Sequence, residues 1–192
     1  MIAYHIRSLG RLSGREGQRS FWLWFALVAA GLVAIGAAVA VPIFSATFAR
    51  MERFAREHPE SSTISRGPGH VRIEIDGAHP EFMPDMDAVL TLGAVATLIA
   101  VILLGAAVVR RLHDGNRTGR WALLPVPFYV MGLALSYPLF SAARQGEVPG
   151  FGRFALLMLS TLGYLGALAT LLIFLALPGT AGPNRFGDAP ES

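Results

Sequence analysis

Four long runs of apolar residues, none of which contains a charged side chain, constrain this 192-residue chain more than any other feature. The runs cover residues 21–48, 88–109, 121–143 and 154–177. A helix rises about 1.5 Å per residue, so about 20 residues cross a hydrocarbon layer of about 30 Å. We therefore predict an all-α membrane protein in which four transmembrane helices form a compact bundle, with the whole chain as a single domain.

Composition narrows the class of protein further. The chain is 53% hydrophobic and only 15% charged, with a mean hydropathy of +0.50, which is typical of a membrane protein. It contains no cysteine, which excludes disulfides, thiolate metal sites and cysteine nucleophiles. The formal net charge is +3 and the arginines are scattered over the loops, so we predict no nucleic-acid partner.

The first apolar run also has to be compared with a signal peptide, because it contains the small-residue pattern Ala38, Val39, Ala40. The run is about twice as long as the apolar region of a signal peptide, which has about 7–15 residues. The polar stretch before it is also long, at 20 residues. We expect the first run to be an uncleaved transmembrane helix.

The distribution of arginine predicts the orientation of the helices. Residues 1–20 and the connection at 110–120 each carry four arginines and one acid. The loop at 49–87 carries five arginines and eight acids, and residues 144–153 carry two arginines. By the positive-inside rule we predict a cytoplasmic N-terminus and C-terminus, although the bias of nine arginines inside against seven outside is modest.

Small residues recur at intervals of four along the first run, at Ala26, Ala30, Ala34 and Ala38. This spacing places them on one helix face and lets another helix approach closely. The pattern favours packing within the bundle, and homodimerisation through the same face is an open alternative.

The loop at 49–87 has two parts. Residues 45–58 are expected to extend the first helix beyond the bilayer, because apolar and charged residues segregate to different faces. Residues 71–76 alternate apolar and charged side chains, as a half-buried strand does, and glycines flank them. We predict a short hairpin with residues 63–65, so the extramembrane loop is partly β.

The connection at 110–120 is the densest polar segment of the chain. Its arginines are suited to anionic lipid headgroups, toward which each basic residue contributes about 1 kcal/mol. His113 and Asp114 lack the further ligands that a metal site requires. Since no nucleophile and base are identifiable together, we predict no catalytic residue, no metal and no cofactor.

Three motifs carry a family resemblance: Gly14-Arg15 with Arg19 and with Phe21-Trp22 at the start of the first run, RRLHD at 110–114 followed by TGRW, and GPNRFGDAP at 182–190. Together they resemble the family of small bacterial inner-membrane proteins known as domain of unknown function 805. The resemblance covers nearly the whole chain. It implies a multi-span inner-membrane fold and no established activity. Arg19 lies one position later than the family spacing, and the 49–87 loop looks like an insertion.

If both termini are cytoplasmic, the three motifs lie on the same side of the membrane. We therefore predict a polar cluster at the cytoplasmic helix ends, with the members Arg15, Arg110, Arg111, His113, Asp114, Asn184 and Arg185. One interpretation is that the cluster ties the helix ends together, since ion pairs can satisfy helix termini. The other is that it receives an anionic ligand or a partner protein.

These observations favour a non-enzymatic membrane protein with a structural, scaffolding or regulatory role. The expected partners are the lipid bilayer with its anionic headgroups, and a second copy or another membrane protein. A small-solute transporter or channel subunit is the alternative, but none of the four runs contains Asp, Glu, Lys, Arg or His, which usually mark ion pathways. An enzyme acting on lipid is a third hypothesis.

Overall fold

The computed structural model describes residues 1–77, 79–82, 86–147 and 150–190. It is mostly helical, and four helices of the described part are long and apolar enough to cross a membrane. Its helices are α1 (Ile2–Arg7), α2 (Gln18–Glu57), α3 (Met86–Asp114), α4 (Val126–Arg144) and α5 (Phe151–Ala176), with 3₁₀ turns at Pro80–Phe82 and Gly119–Leu123. Two strands, β1 (Ser62–Gly67) and β2 (His70–Ile75), form a small sheet. The prediction of a multi-pass helical protein agrees with this architecture.

The first apolar run lies within α2, which has 40 residues and continues through Pro42. Such a helix is about 60 Å long, about twice the thickness of a hydrocarbon layer. The second half of α2 therefore extends beyond any span that begins near Phe21. The expectation that residues 45–58 prolong the first helix is confirmed as far as Glu57.

The predicted hairpin is confirmed. β1 and β2 pair antiparallel, with Ile64 opposite Ile73, and the tight turn between them contains Gly69 at a φ of +79°. A positive φ is strained for residues other than glycine, which explains the glycine at this turn. The hairpin lies against the extension of α2, where Ser62 Oγ donates a hydrogen bond of 2.9 Å to the Ala55 carbonyl.

The third apolar run does not form a single helix. Its first three residues belong to the 3₁₀ turn Gly119–Leu123, and α4 begins at Val126 rather than at Trp121. Pro125 precedes the first helical residue and Pro127 lies in the first turn. Proline lacks a backbone N–H, which the first turn of a helix does not need, so the two prolines fix the helix start here.

The buried core lies toward one end of the long helices. It consists of Phe21, Trp24, Val28, Ala107, Leu112, Leu171 and Leu175. Large side chains of α2 pack on α3 there, and Trp24 Nε1 donates a hydrogen bond of 2.9 Å to the Leu103 carbonyl. The four alanines at intervals of four are all exposed, so the face expected to pack within the chain does not do so. The rings contribute more buried area than the alanines would, which explains the choice of face. A compact bundle stays a prediction.

Candidate functional site

The last turn of α3 buries three charged side chains. Arg110, Arg111 and Asp114 are only 2%, 1% and 3% exposed. Successive residues of a helix point about 100° apart, so two adjacent arginines cannot reach the same partner easily. Arg110 faces residues 1–16 and Arg111 faces the C-terminal end of α5, and this divides the polar cluster into two halves.

Asp114 is the centre of the first half. Arg15 donates from Nε and Nη2 to Asp114 Oδ1, at 3.0 and 2.8 Å. Arg111 donates from Nη1 to the other oxygen, Oδ2. One buried carboxylate therefore lies between two guanidinium groups, and charge-assisted hydrogen bonds of this kind are the strong ones in proteins.

The remaining donors of these two arginines bind backbone carbonyls near the end of the chain. Arg15 donates to the carbonyls of Thr180, at 2.7 Å, and Gly182, at 2.6 Å. Arg111 donates to the carbonyls of Leu175, at 3.0 Å, and Leu177, at 2.5 Å. The last carbonyls of a helix lack partners within that helix, so Arg111 satisfies two acceptors at the end of α5.

The segment 177–188, which we call the C-terminal tail, in turn caps α3. Thr180 donates from its backbone N, at 2.9 Å, and from Oγ1, at 3.1 Å, to the Asp114 carbonyl. Asn184 Nδ2 donates to the His113 carbonyl at 3.0 Å. The ring of Phe186 stacks on His113 with centroids 3.8 Å apart. Each chain segment thus satisfies the terminal carbonyls of the other.

Gly179 allows the tail to approach Asp114. A Cβ atom at this position would lie 2.0 Å from Asp114 Oδ2 and 2.6 Å from its Cγ. Side-chain atoms do not approach so closely, so any larger residue at 179 has to displace either the carboxylate or the tail. Glycine is therefore required here for its size.

Glu16 is the centre of the second half. Arg110 Nε and Nη2 lie 3.0 and 2.9 Å from Glu16 Oε2. Arg110 Nη1 donates to the carbonyls of Ser8, at 3.0 Å, and Arg11, at 2.7 Å. The Glu16 backbone N donates to the Arg110 carbonyl at 3.2 Å. These contacts hold residues 1–16, which we call the N-terminal segment, on the end of α3.

His5 of α1 is buried beside this ion pair, with 1% of its surface exposed. Its ring stacks on Trp24 with centroids 4.8 Å apart, and Nε2 lies 3.2 Å from Ser20 Oγ and 3.9 Å from a Glu16 oxygen. Its Nδ1 has no hydrogen-bond partner among the described residues. Burial lowers the pKa of His5; the Glu16 carboxylate opposes this shift and the Arg110 charge adds to it.

The lowered pKa of His5 predicts a loss of stability in mild acid. The folded state keeps His5 neutral below about pH 6.5, where the unfolded chain already takes up the proton, so acid favours unfolding. We expect the midpoint of thermal unfolding in detergent to fall more steeply below about pH 6.5 in the wild type than in His5→Gln. Parallel pH profiles for the two proteins would contradict this expectation.

The structure brings most of the predicted cluster together and separates it into pairs that the sequence does not reveal. Arg15 and Arg111 both donate to Asp114, whereas Arg110 binds Glu16 instead. Asn184 and His113 join through a backbone carbonyl. Arg185 is exposed; its Nη2 donates to the Asn116 carbonyl at 2.9 Å, away from Asp114.

Sequence reasoning missed Glu16, His5, Gly179 and Thr180. Glu16 had a signal, because it is the only acid among the first 20 residues and adjoins the Gly14-Arg15 motif. The other three residues carry no signal in a single sequence. Within the part of the chain that the structure describes, no group of three His, Asp or Glu side chains is placed to hold a metal. The absence of catalytic, metal and cofactor sites stays a prediction.

A family model described as "Protein of unknown function (DUF805)" matches residues 9–188 of the chain. The match contains the first two motifs in full, the third as far as Asp188, and nearly all of the residues that form the two halves of the cluster. No curated protein and no solved structure matches the chain.

Proposed function

Because the chain belongs to the DUF805 family, whose function is unknown, we propose its role from the polar cluster alone. It is a multi-pass protein of the bacterial inner membrane with both termini in the cytoplasm. The role is non-enzymatic: the polar cluster holds the N-terminal segment and the C-terminal tail as a cytoplasmic platform, which a membrane-protein partner or a second copy recognises.

One observation carries this proposal: Asp114 binds Arg15 and Arg111, and both arginines also hold carbonyls of the C-terminal tail. A catalytic or ligand-binding carboxylate needs a face open to its substrate. Asp114 is buried and both of its oxygens already accept charge-assisted hydrogen bonds. This arrangement favours the interpretation that the cluster ties the helix ends together over the interpretation that it receives an anionic ligand.

The same argument applies to Glu16. The ion pairs of Asp114 and Glu16 immobilise the C-terminal tail and the N-terminal segment. Neither segment is large enough to bury a hydrophobic core, because α1 has only six residues and the tail forms no long helix. Burying a charge costs desolvation free energy. The attraction between the paired charges offsets this cost only when the geometry is good and the remaining donors are hydrogen-bonded. A chain that retains two such pairs gains a defined conformation for both segments, which a platform requires.

The exposed side of the platform carries residues that are suited to contact with a partner. α1 directs Ile2, Tyr4 and Ile6 outward, each about half exposed, beside the arginines of positions 7 and 11. Apolar and basic residues together suit the interface between lipid headgroups and cytoplasm. Anionic lipid is therefore a proposed partner of this surface, in addition to protein.

Reporter fusions test the proposed topology. Fusions after residue 115 and at the C-terminus are expected to report a cytoplasmic location. A fusion in the β1–β2 turn, near Pro68, is expected to report the opposite side. A periplasmic signal from residue 115 or from the C-terminus would contradict the proposed orientation.

Site-specific cross-linking tests the role. A photoreactive residue at position 6, on the exposed side of α1, is expected to give a discrete adduct in native membranes. Glu16→Ala is expected to abolish that adduct, because it releases α1. The same probe at position 72, in the hairpin, serves as the control and is expected to be unaffected. An adduct that persists in Glu16→Ala, or robust solute uptake by proteoliposomes containing the purified protein, would contradict the platform role.

A further inference from the structure

An open groove runs along α3. It has a volume of about 1390 Å³ and lies between α3, α4 and α5, with the N-terminal segment at one end. Its lining is almost entirely apolar and includes Leu98, Ile102 and Leu168. Among its titratable lining residues are Arg120 and His113, both at the end that carries the polar cluster.

The groove is longer than the hydrocarbon of one membrane leaflet. Its α3 wall extends from Ala94 to His113, which corresponds to about 28 Å of helix. One leaflet contributes about half of the roughly 30 Å hydrocarbon layer, so an acyl chain entering beside Arg120 stays within the groove.

Arg120 is available for a ligand, unlike the arginines of the polar cluster. Its side chain is exposed, and it makes no hydrogen bond or ion pair with the residues that the structure describes. The connection also contains Arg117, whose guanidinium lies 4.5 Å over the Phe174 ring and is thus engaged within the chain. Among the described residues that line the groove none is acidic, so no carboxylate of that lining compensates the charge at its end.

We propose that this groove binds one anionic phospholipid, whose acyl chains lie along α3 and whose phosphate is held by Arg120. Basic pockets between helices at the cytoplasmic side bind such headgroups. A helix of a second copy in the same orientation is a poorer occupant, because it would bring the basic segment at 110–120 of that copy next to Arg120. The proposal rests on the membrane orientation proposed above.

Competition between two lipids in detergent tests the proposal. The purified protein is equilibrated with equal amounts of phosphatidylglycerol and phosphatidylethanolamine, and native mass spectrometry counts the retained molecules. We expect one phosphatidylglycerol per chain. Arg120→Gln is expected to reduce the preference for phosphatidylglycerol about fivefold, which is the contribution of one basic residue toward anionic lipid.

Matched variants separate charge from shape. Arg19→Gln removes an exposed arginine outside the groove and is expected to leave the preference unchanged. Gly105→Phe fills the groove, where an added Cβ meets nothing closer than Val101 at 4.0 Å, and is expected to abolish retention of the lipid. Gly36→Phe introduces the same ring at a glycine of α2 that does not line the groove and is expected to bind lipid normally.

Equal retention of the two lipids, or an unchanged preference in Arg120→Gln, would overturn the lipid assignment. A dimer that Gly105→Phe disrupts and Gly36→Phe does not would assign the groove to a second copy and overturn it as well. The lipid measurements are made in detergent and do not depend on the reporter fusions, so a failure of the lipid site is distinguishable from a failure of the orientation.

Discussion

Asp114→Ala is expected to destabilise the protein by about 3–5 kcal/mol, because it leaves Arg15 and Arg111 buried without their carboxylate. The loss is large because breaking a buried pair leaves an uncompensated charge rather than a lost contact. Unfolding by sodium dodecyl sulfate in mixed micelles, followed by circular dichroism, measures the change. Hydrogen exchange is expected to increase in residues 177–188 more than in residues 1–16.

Asp87→Ala is the matched control for this variant. Asp87 also pairs with an arginine, Arg144, but the two side chains are 41% and 39% exposed. Exposed ion pairs contribute little to stability, so we expect a small change in the same assay. Equal losses for the two aspartate variants would contradict the structural role of Asp114.

Gly179→Ala perturbs the same carboxylate without removing a charge. Its added methyl group must displace Asp114 or the tail, and overpacking of this kind costs about 1–3 kcal/mol. Gly152→Ala is the control, since a Cβ there meets nothing within 4 Å and its helical position favours alanine. Stability equal to that of the wild type in Gly179→Ala would show that the tail does not need its close approach to Asp114.

Glu16→Ala is expected to cost a similar amount, about 3–5 kcal/mol, since Arg110 is as deeply buried as Arg111. The effect on local order is expected at the opposite end of the chain. Residues 1–16 should exchange amide hydrogens faster, whereas the C-terminal tail keeps its protection through Asp114. The same two measurements, detergent unfolding and hydrogen exchange, test both halves.

Glu57→Ala is the control for Glu16→Ala, because Glu57 is exposed at the end of α2 and no ion pair is found for it among the described residues. We expect unchanged exchange in the N-terminal segment of this variant. If Glu16→Ala leaves that segment as protected as Glu57→Ala does, Arg110 and Glu16 do not hold it.

The long helices were predictable because their signal is local. An uncharged run of 20 residues or more has few alternatives to a helix in apolar surroundings, and the alternation at 71–76 is equally direct. The start of α4 was harder to predict from the sequence. Residues 121–124 are as apolar as the rest of their run, and only the prolines at 125 and 127 indicate that the helix begins later.

The pairing within the cluster could not be predicted, because it depends on the paths of segments far apart in sequence. Arg110 and Arg111 are adjacent and chemically identical, yet one binds Glu16 and the other Asp114. Which carboxylate each one meets is decided by the direction in which the helix turns it and by where the termini pass. A single sequence contains the residue types but not these directions.

The position of Gly179 could not be inferred for a similar reason. Its role is to leave room for one carboxylate oxygen, and that oxygen belongs to Asp114 of α3, 65 residues earlier in the chain. The alanines of α2 illustrate the converse error. Their spacing is real, but the chain uses Phe21 and Trp24 for contact with α3 and leaves the alanines exposed.

The separation of Arg15 from its acceptors also sets the order of biogenesis. Thr180 follows Arg15 by 165 residues, so ribosomal synthesis delivers the cationic side chain long before the carbonyl that it binds. A nascent chain halted before Gly179 would expose guanidinium donors that the finished fold conceals. The donors of Arg15 are therefore satisfied only when the tail closes over α3, which is a late step for a chain made from its N-terminus.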